Sequence, residues 1–130
     1  MTQDKTPNSE LSGAPIIERV KTFEDALALY DNGHLDYLSK SILEFNGKDP
    51  ILLSTQAYLM LCIIASVLNE GWMPNLTNGR MGYRAHFSEH GLPAYCIDIS
   101  GPSPITFKDP NVAKYAAKQF LHIYKQFYNI

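Results

Sequence analysis

From Asp49 to Trp72 the chain reads DPILLSTQAYLMLCIIASVLNEGW, apolar at nearly every position between a helix start and a helix stop. Asp49 can cap the first turn, and Pro50 suits the first helical position because its missing N–H would have had no partner. Gly71 can take the left-handed conformation that closes a helix, and Pro74 prevents continuation. On a helical wheel the apolar positions cover almost the whole circumference and leave one narrow polar arc of Thr55, Cys62, Ser66, Asn69 and Glu70. A helix of this kind has to be covered on most sides. The pattern therefore predicts a central, buried helix over residues 50–70, with Trp72 folding back on its end.

The flanking pattern is weaker but readable. Thr22 followed by Asp25 is a capping pair, and Phe23, Ala26, Leu27 and Tyr30 fall at helical spacing until Asn32-Gly33. Leu35, Leu38, Ile42 and Phe45 predict a second helix, stopped by Asn46-Gly47. From Met81 the period changes to two. Tyr83, Ala85 and Phe87 alternate with polar residues, as do Tyr95, Ile97 and Ile99, and Ile105 and Phe107 flank Thr106. Turns are expected at 89–93 and 100–104. Parity then sets Phe87 against Tyr95 and Ile99 against Ile105. It places Arg84 across from Asp98 with Thr106 beyond, and His86 across from Cys96 with Lys108 beyond. Asp109-Pro110 opens a last helix with a broad apolar arc and an opposite stripe of Lys114, Lys118, His122 and Lys125.

The expected fold is α+β. It has three N-terminal helices, the third central and buried, then a three-stranded antiparallel meander, then a C-terminal helix that packs back. Residues 1–15, polar and rich in Pro, Ser and Gly, are expected to be a flexible tail before a single domain over 16–130. The 130-residue length suits one core.

Composition narrows the function classes. The hydrophobic fraction of 45% and charged fraction of 18% are ordinary for a globular domain. A net charge of −2 leaves nucleic-acid binding to a local patch only. Cys62 and Cys96 are too few for a disulfide scaffold and are read as free thiols. The first residues show no basic region followed by an apolar run, so no secretory signal is expected. Ser54, Thr55, Gln56 and Ser66 interrupt the apolar helix, which argues against a membrane span. These features place the protein in the cytoplasm.

Four groups of residues could carry chemistry. Arg84, His86, Cys96, Asp98, Thr106 and Lys108 share the outer face of the expected sheet. There His86 could deprotonate Cys96, although no oxyanion donor follows the thiol. His86 and His90, with Cys96 or Asp98, could supply zinc ligands, without any supporting metal motif. The lysine stripe, with Tyr115 and Tyr128 nearby, could follow a phosphate backbone and stack bases. Trp72 and Met73, ahead of the polar loop 75–80, could anchor a partner or merely seal the core.

Thr22–Ala26, Ile63–Asn75, Ile105–Asp109 and Ala113–Phe127 together resemble a group of small uncharacterised proteins from bacterial and phage genomes. The shared features are an "ALNEGW" helix end and an "A-x-YA-x-x-F-x-x-x-Y" last helix. Arg84-Ala85-His86 departs from that group's aromatic-rich middle. No site residue comes with the resemblance. It does imply a phage or mobile-element setting, similar to that of proteins that bind and disable bacterial defence machinery, a CRISPR-type complex among them.

The expected function is therefore non-enzymatic binding of a macromolecule, with no cofactor and no metal. The contact residues are Arg84, His86 and Asp98 on the sheet, or Lys114, Lys118 and Lys125 on the stripe. The partner would be a host protein or protein–RNA complex. The competing readings are a nucleic-acid-binding accessory protein and a small Cys/His or metal-dependent hydrolase. Oligomeric state is left open, because a small sheet with free edges can pair with a copy of itself.

Overall fold

A computed structural model describes residues 14–30, 35–73, 82–88, 91–100 and 103–130, with the backbone alone at 86, 88 and 91–100. Residues 1–13 of the expected tail, the Asn32-Gly33 stop, the loop 75–80, His90 and Gly101-Pro102 of the expected 100–104 turn lie outside the described residues. The described part contains α1 (Ile16–Arg19), α2 (Phe23–Leu29), α3 (Tyr37–Leu43), α4 (Pro50–Leu68), β1 (Gly82–Ser88), β2 (Gly91–Ser100), α5 (Pro110–Gln119) and α6 (Leu121–Tyr128).

Local chemistry sets most helix starts. Thr22 and Asp25 form a reciprocal capping box on α2: each side chain accepts from the other's backbone N–H, at 3.1 Å. Asp36 caps α3 by accepting from Ser39 N. Asp49 accepts from Ile51 N at the start of α4, and Asp109 from Val112 N at the start of α5, with proline following each aspartate.

The α+β expectation is corrected: the protein is mainly helical, and among the described residues there is no three-stranded meander. The described β-structure is one two-stranded antiparallel ribbon. Its register does follow parity, with Arg84 paired to Asp98, His86 to Cys96 and Phe87 to Tyr95. An irregularity then lets Ser88 pair with Gly91, so β2 begins earlier than expected and takes in Pro93.

The expected third strand reduces to one bridge, and it lies beside the other strand. Tyr83 and Phe107 exchange two backbone bonds of 2.8 and 2.7 Å, which puts the 105–107 segment against β1. Thr106 and Lys108 therefore do not lie beyond Asp98 and Cys96. Two contacts explain the placement. The buried Asn69 amide donates to Thr106 O at 2.8 Å and accepts from Lys108 N at 3.0 Å, so a side chain of α4 holds the backbone on either side of Phe107. Gly82 completes the fit, since a Cβ there would stand 2.6 Å from the Phe107 carbonyl oxygen and collide with Thr106.

The last helix is also corrected. It breaks at Phe120 (φ −111°, ψ 30°) into α5 and α6, although no proline or glycine marks the break. The break serves packing. Ala113, Ala116 and Ala117 of α5 are buried on the side packed against the ribbon, while Ile123 and Tyr124 of α6 are buried where α6 packs on α4.

Along α4, Ala57, Leu61, Ile63, Ile64, Ala65, Val67 and Leu68 are buried, the large side chains contributing about 1.5–3 kcal/mol each. The N-terminal turn is not covered: Ile51 is 75% exposed and Leu52 43%. The expectation of a central helix covered on most sides holds from Gln56 to Leu68 and fails for the first turn. The helix is also long and apolar enough to cross a membrane, with a mean hydropathy of 2.1, so its interrupting polar residues argue less against a span than expected. Within the fold, 44% of that stretch is buried.

Candidate functional site

One side of α4 carries no fully buried residue along the whole helix, although Cys62 on it packs against the core. Ile51, Thr55, Tyr58, Cys62, Ser66 and Glu70 succeed one another at three- and four-residue steps and are exposed or half-buried. The face is apolar at its start and polar at its end. The predicted polar arc is thus the solvent-side stripe, with Asn69 turned inward as the clamp on 106–108.

The polar end forms the wall of two adjoining clefts. The larger, about 400 Å3, lies between Ser66, Val67 and Glu70 on one side and Ile16, Arg19, Leu29 and Tyr30 on the other. The second, about 250 Å3, is bounded by Cys62, Ser66, Asn69, Met73, Ser103 and Thr106. Tyr30 and Ser66 border both. Glu70 stands at the cleft edge in the left-handed conformation (φ 52°), which is uncommon for a residue with a Cβ, and Lys108 Nζ lies 3.3 Å from its carboxylate. Burial pushes the Cys62 thiol pKa up, partly offset by a hydrogen bond with Tyr58. Cys62 is therefore a poor source of thiolate.

The apolar end is built jointly by α4 and α6. Ser54 Oγ donates to Phe127 O at 2.6 Å, and Gln126 Nε2 donates to Leu53 O at 2.7 Å and to Gln56 Oε1 at 2.9 Å. Gln56 Nε2 in turn lies 2.8 Å from Phe45 O and 3.1 Å from Ile42 O and Leu43 O, which covers the open carbonyls at the end of α3. These bonds hold the start of α4 against the end of α6. The exposed Ile51, Leu52 and Tyr58 thereby share one end of the molecule with Tyr128 and with Ile130, which is 55% exposed. A chain of ring contacts leads inward from it: Tyr58–Phe127 (5.6 Å), Phe127–Tyr128 (4.9 Å), Tyr128–Phe87 (5.8 Å) and Phe87–Tyr124 (5.3 Å). Tyr124 is buried, its pKa is driven upward by desolvation, and its hydroxyl finds no partner among the described residues.

The sequence-derived site residues are dispersed. Arg84 is exposed on β1 and its backbone pairs with Asp98, as His86 pairs with Cys96. The side chains of His86, Cys96 and Asp98 lie outside the described residues, so the thiol and zinc readings find no geometry there. Among the described residues no group of three His, Cys, Asp or Glu could hold a metal. Lys114 and Lys118 are exposed on α5 and Lys125 on α6, and the break at Phe120 divides the stripe.

Tyr115 is not positioned to stack on a base. Its hydroxyl donates to Val20 O, and Lys21 Nζ lies 5.9 Å from the ring centre. Burial and the nearby Asp25 charge raise its pKa. Trp72 is half-buried, and its Cη2 would lie 3.1 Å from a Cβ at Gly82, so it packs against the start of β1.

Sequence reasoning missed the apolar end. The signal was there: Ile51, Leu52 and Leu53 follow directly on the cap, ahead of any polar residue, where a helix entering the core from solvent usually begins with a polar turn. No protein-family model matches the chain, and neither does any curated protein or solved structure.

Proposed function

We propose that the protein acts by binding a protein partner, in the cytoplasm, through the apolar end where α4 begins and α6 finishes. The observation that carries this reading is the collection of large exposed side chains there: Ile51, Leu52, Tyr58 and Tyr128. Apolar residues scattered singly need no explanation, but several on one end of a domain mark interaction surfaces. Aromatic anchors in such a patch typically dominate the binding energy. Lys48 precedes the patch in sequence and Lys125 stands on the α6 turn before Tyr128, both exposed, which suits a partner with an acidic rim.

The narrower version, a phage-type protein that disables a host defence complex, is supported by the resemblance of its helix ends alone. The nucleic-acid reading keeps Lys114, Lys118 and Lys125 but loses Tyr115 as a stacking platform.

The test is capture of partners from a bacterial lysate by the wild-type protein and by Ile51→Asp, with and without nuclease. A nuclease-resistant partner held by the wild type and lost with Ile51→Asp supports the proposal. Retention by Ile51→Asp moves the contact elsewhere, and loss on nuclease treatment favours nucleic acid. Ile51 is so exposed that the variant should fold normally, with a stability change within about 0.5 kcal/mol.

A further inference from the structure

We propose that two copies of the chain join through the outer edge of β2, in an antiparallel pairing centred on Ile97, so that two ribbons make one four-stranded sheet. The argument begins with the misplaced third strand. Because the 105–107 segment lies beside β1, no described strand runs along the far edge of β2.

The Tyr83–Phe107 bonds also set the phase of the ribbon. Tyr83 turns its N–H and C=O toward Phe107, away from β2. In an antiparallel ladder, residues directly opposite alternate between bonded and non-bonded pairs. Tyr83–Ile99, Ala85–Ile97 and Phe87–Tyr95 are therefore the non-bonded pairs, and the backbone groups of Tyr95, Ile97 and Ile99 point outward from β2.

This edge is complementary to itself. A two-fold axis at Ile97 sets Tyr95 opposite Ile99 of the second copy, Ile97 opposite Ile97, and Ile99 opposite Tyr95. Every outward donor then meets an outward acceptor, in three pairs that each exchange two bonds. Natural edges are guarded by lysine, proline or bulges. The irregularity and Pro93 guard only the hairpin end of β2, and 95–100 (YCIDIS) carries neither lysine nor proline, its one charge being Asp98. The occupant is thus a second copy, joined by a symmetric contact of the commonest kind in soluble proteins. The partner-binding reading concerns the other surface and does not depend on this one.

The experiment is sedimentation across a concentration series for the full chain, the wild type against Ile97→Pro, with Asp98→Cys as a second probe. Proline removes an outward N–H that β1 does not use, so the dimer should weaken by roughly 30-fold or more. In the proposed pairing, position 98 lies opposite position 96 of the other copy, in the closer kind of pair with Cα atoms about 4.5 Å apart. That is within reach of a disulfide. Mild oxidation of Asp98→Cys should therefore give a covalent dimer, joined from Cys96 to the new cysteine when mapped by mass spectrometry. A wild type that stays monomeric throughout the series overturns the proposal. So does a dimer that Asp98→Cys fails to cross-link, a result that stands even if Ile97→Pro does not fold.

Discussion

Ile51 and Ile64 stand on the same helix, and one is 75% exposed while the other has no exposed surface. The residues around them are equally apolar, so the hydrophobic effect acts on both halves of α4 alike. The difference is in what is available to cover them. The second half packs against α1 and α2, and the Ser103–Lys108 segment is held to its end through Asn69. The first half is held by α3 and by the end of α6, which reach only its inner side. Apolar composition creates a demand for burial. Whether the demand is met within one chain depends on how many elements the fold can bring to that place, and here it leaves one end of the helix open.

Mutations that exchange the roles of the two halves test this contrast. The largest effect is expected from Leu61→Ala, which removes a fully buried side chain and should cost about 3 kcal/mol in urea unfolding; Ile51→Ala should stay within about 0.5 kcal/mol. Equal losses at the two positions would show that the first half is covered after all.

Next comes Asn69→Ala, expected to cost about 2–3 kcal/mol by the same measurement, because it removes the side-chain bonds to Thr106 O and Lys108 N beside the buried half. Gly82→Ala should cost roughly 1–3 kcal/mol through the clash with the Phe107 backbone.

Tyr124→Phe should do the reverse. Its hydroxyl is buried without a partner among the described residues, so removing it should leave stability unchanged or raise it by about 1 kcal/mol. A loss instead would reveal a partner for that hydroxyl. The smallest change is expected from Glu70→Gly. It relieves the left-handed backbone at the end of α4 but gives up the exposed ion pair with Lys108, for a net gain below about 1 kcal/mol in thermal unfolding.

Much of the local structure was legible in the sequence because it depends on residues a few positions apart. Thr22–Asp25, Asp49-Pro50 and Asp109-Pro110 are caps whose donors and acceptors lie within one turn. The Arg84–Asp98 register follows from the period of two once the strands are known to be antiparallel. The Asp36 cap is legible on the same grounds, since a good capping residue stands directly before Tyr37, but Leu35 fits the apolar spacing and draws the expected helix start ahead of it. Of the candidate site residues, exposure at Arg84, Lys114, Lys118 and Lys125 was readable, but their distribution over β1, α5 and α6 was not.

Three features were decided by tertiary structure alone. The 105–107 segment follows β1 because Asn69, far away in sequence, offers its backbone a partner and because Gly82 lets it approach. The last helix breaks at Phe120 because its two halves face different neighbours, the ribbon and α4. The start of α4 is exposed because no described element reaches around it. Helix ends and strand periodicity are satisfied by hydrogen bonds and side-chain alternation between near neighbours, so the sequence determines them. Coverage, strand order and helix direction depend on competition among surfaces contributed by distant parts of the chain, and that competition is settled only when the chain is packed.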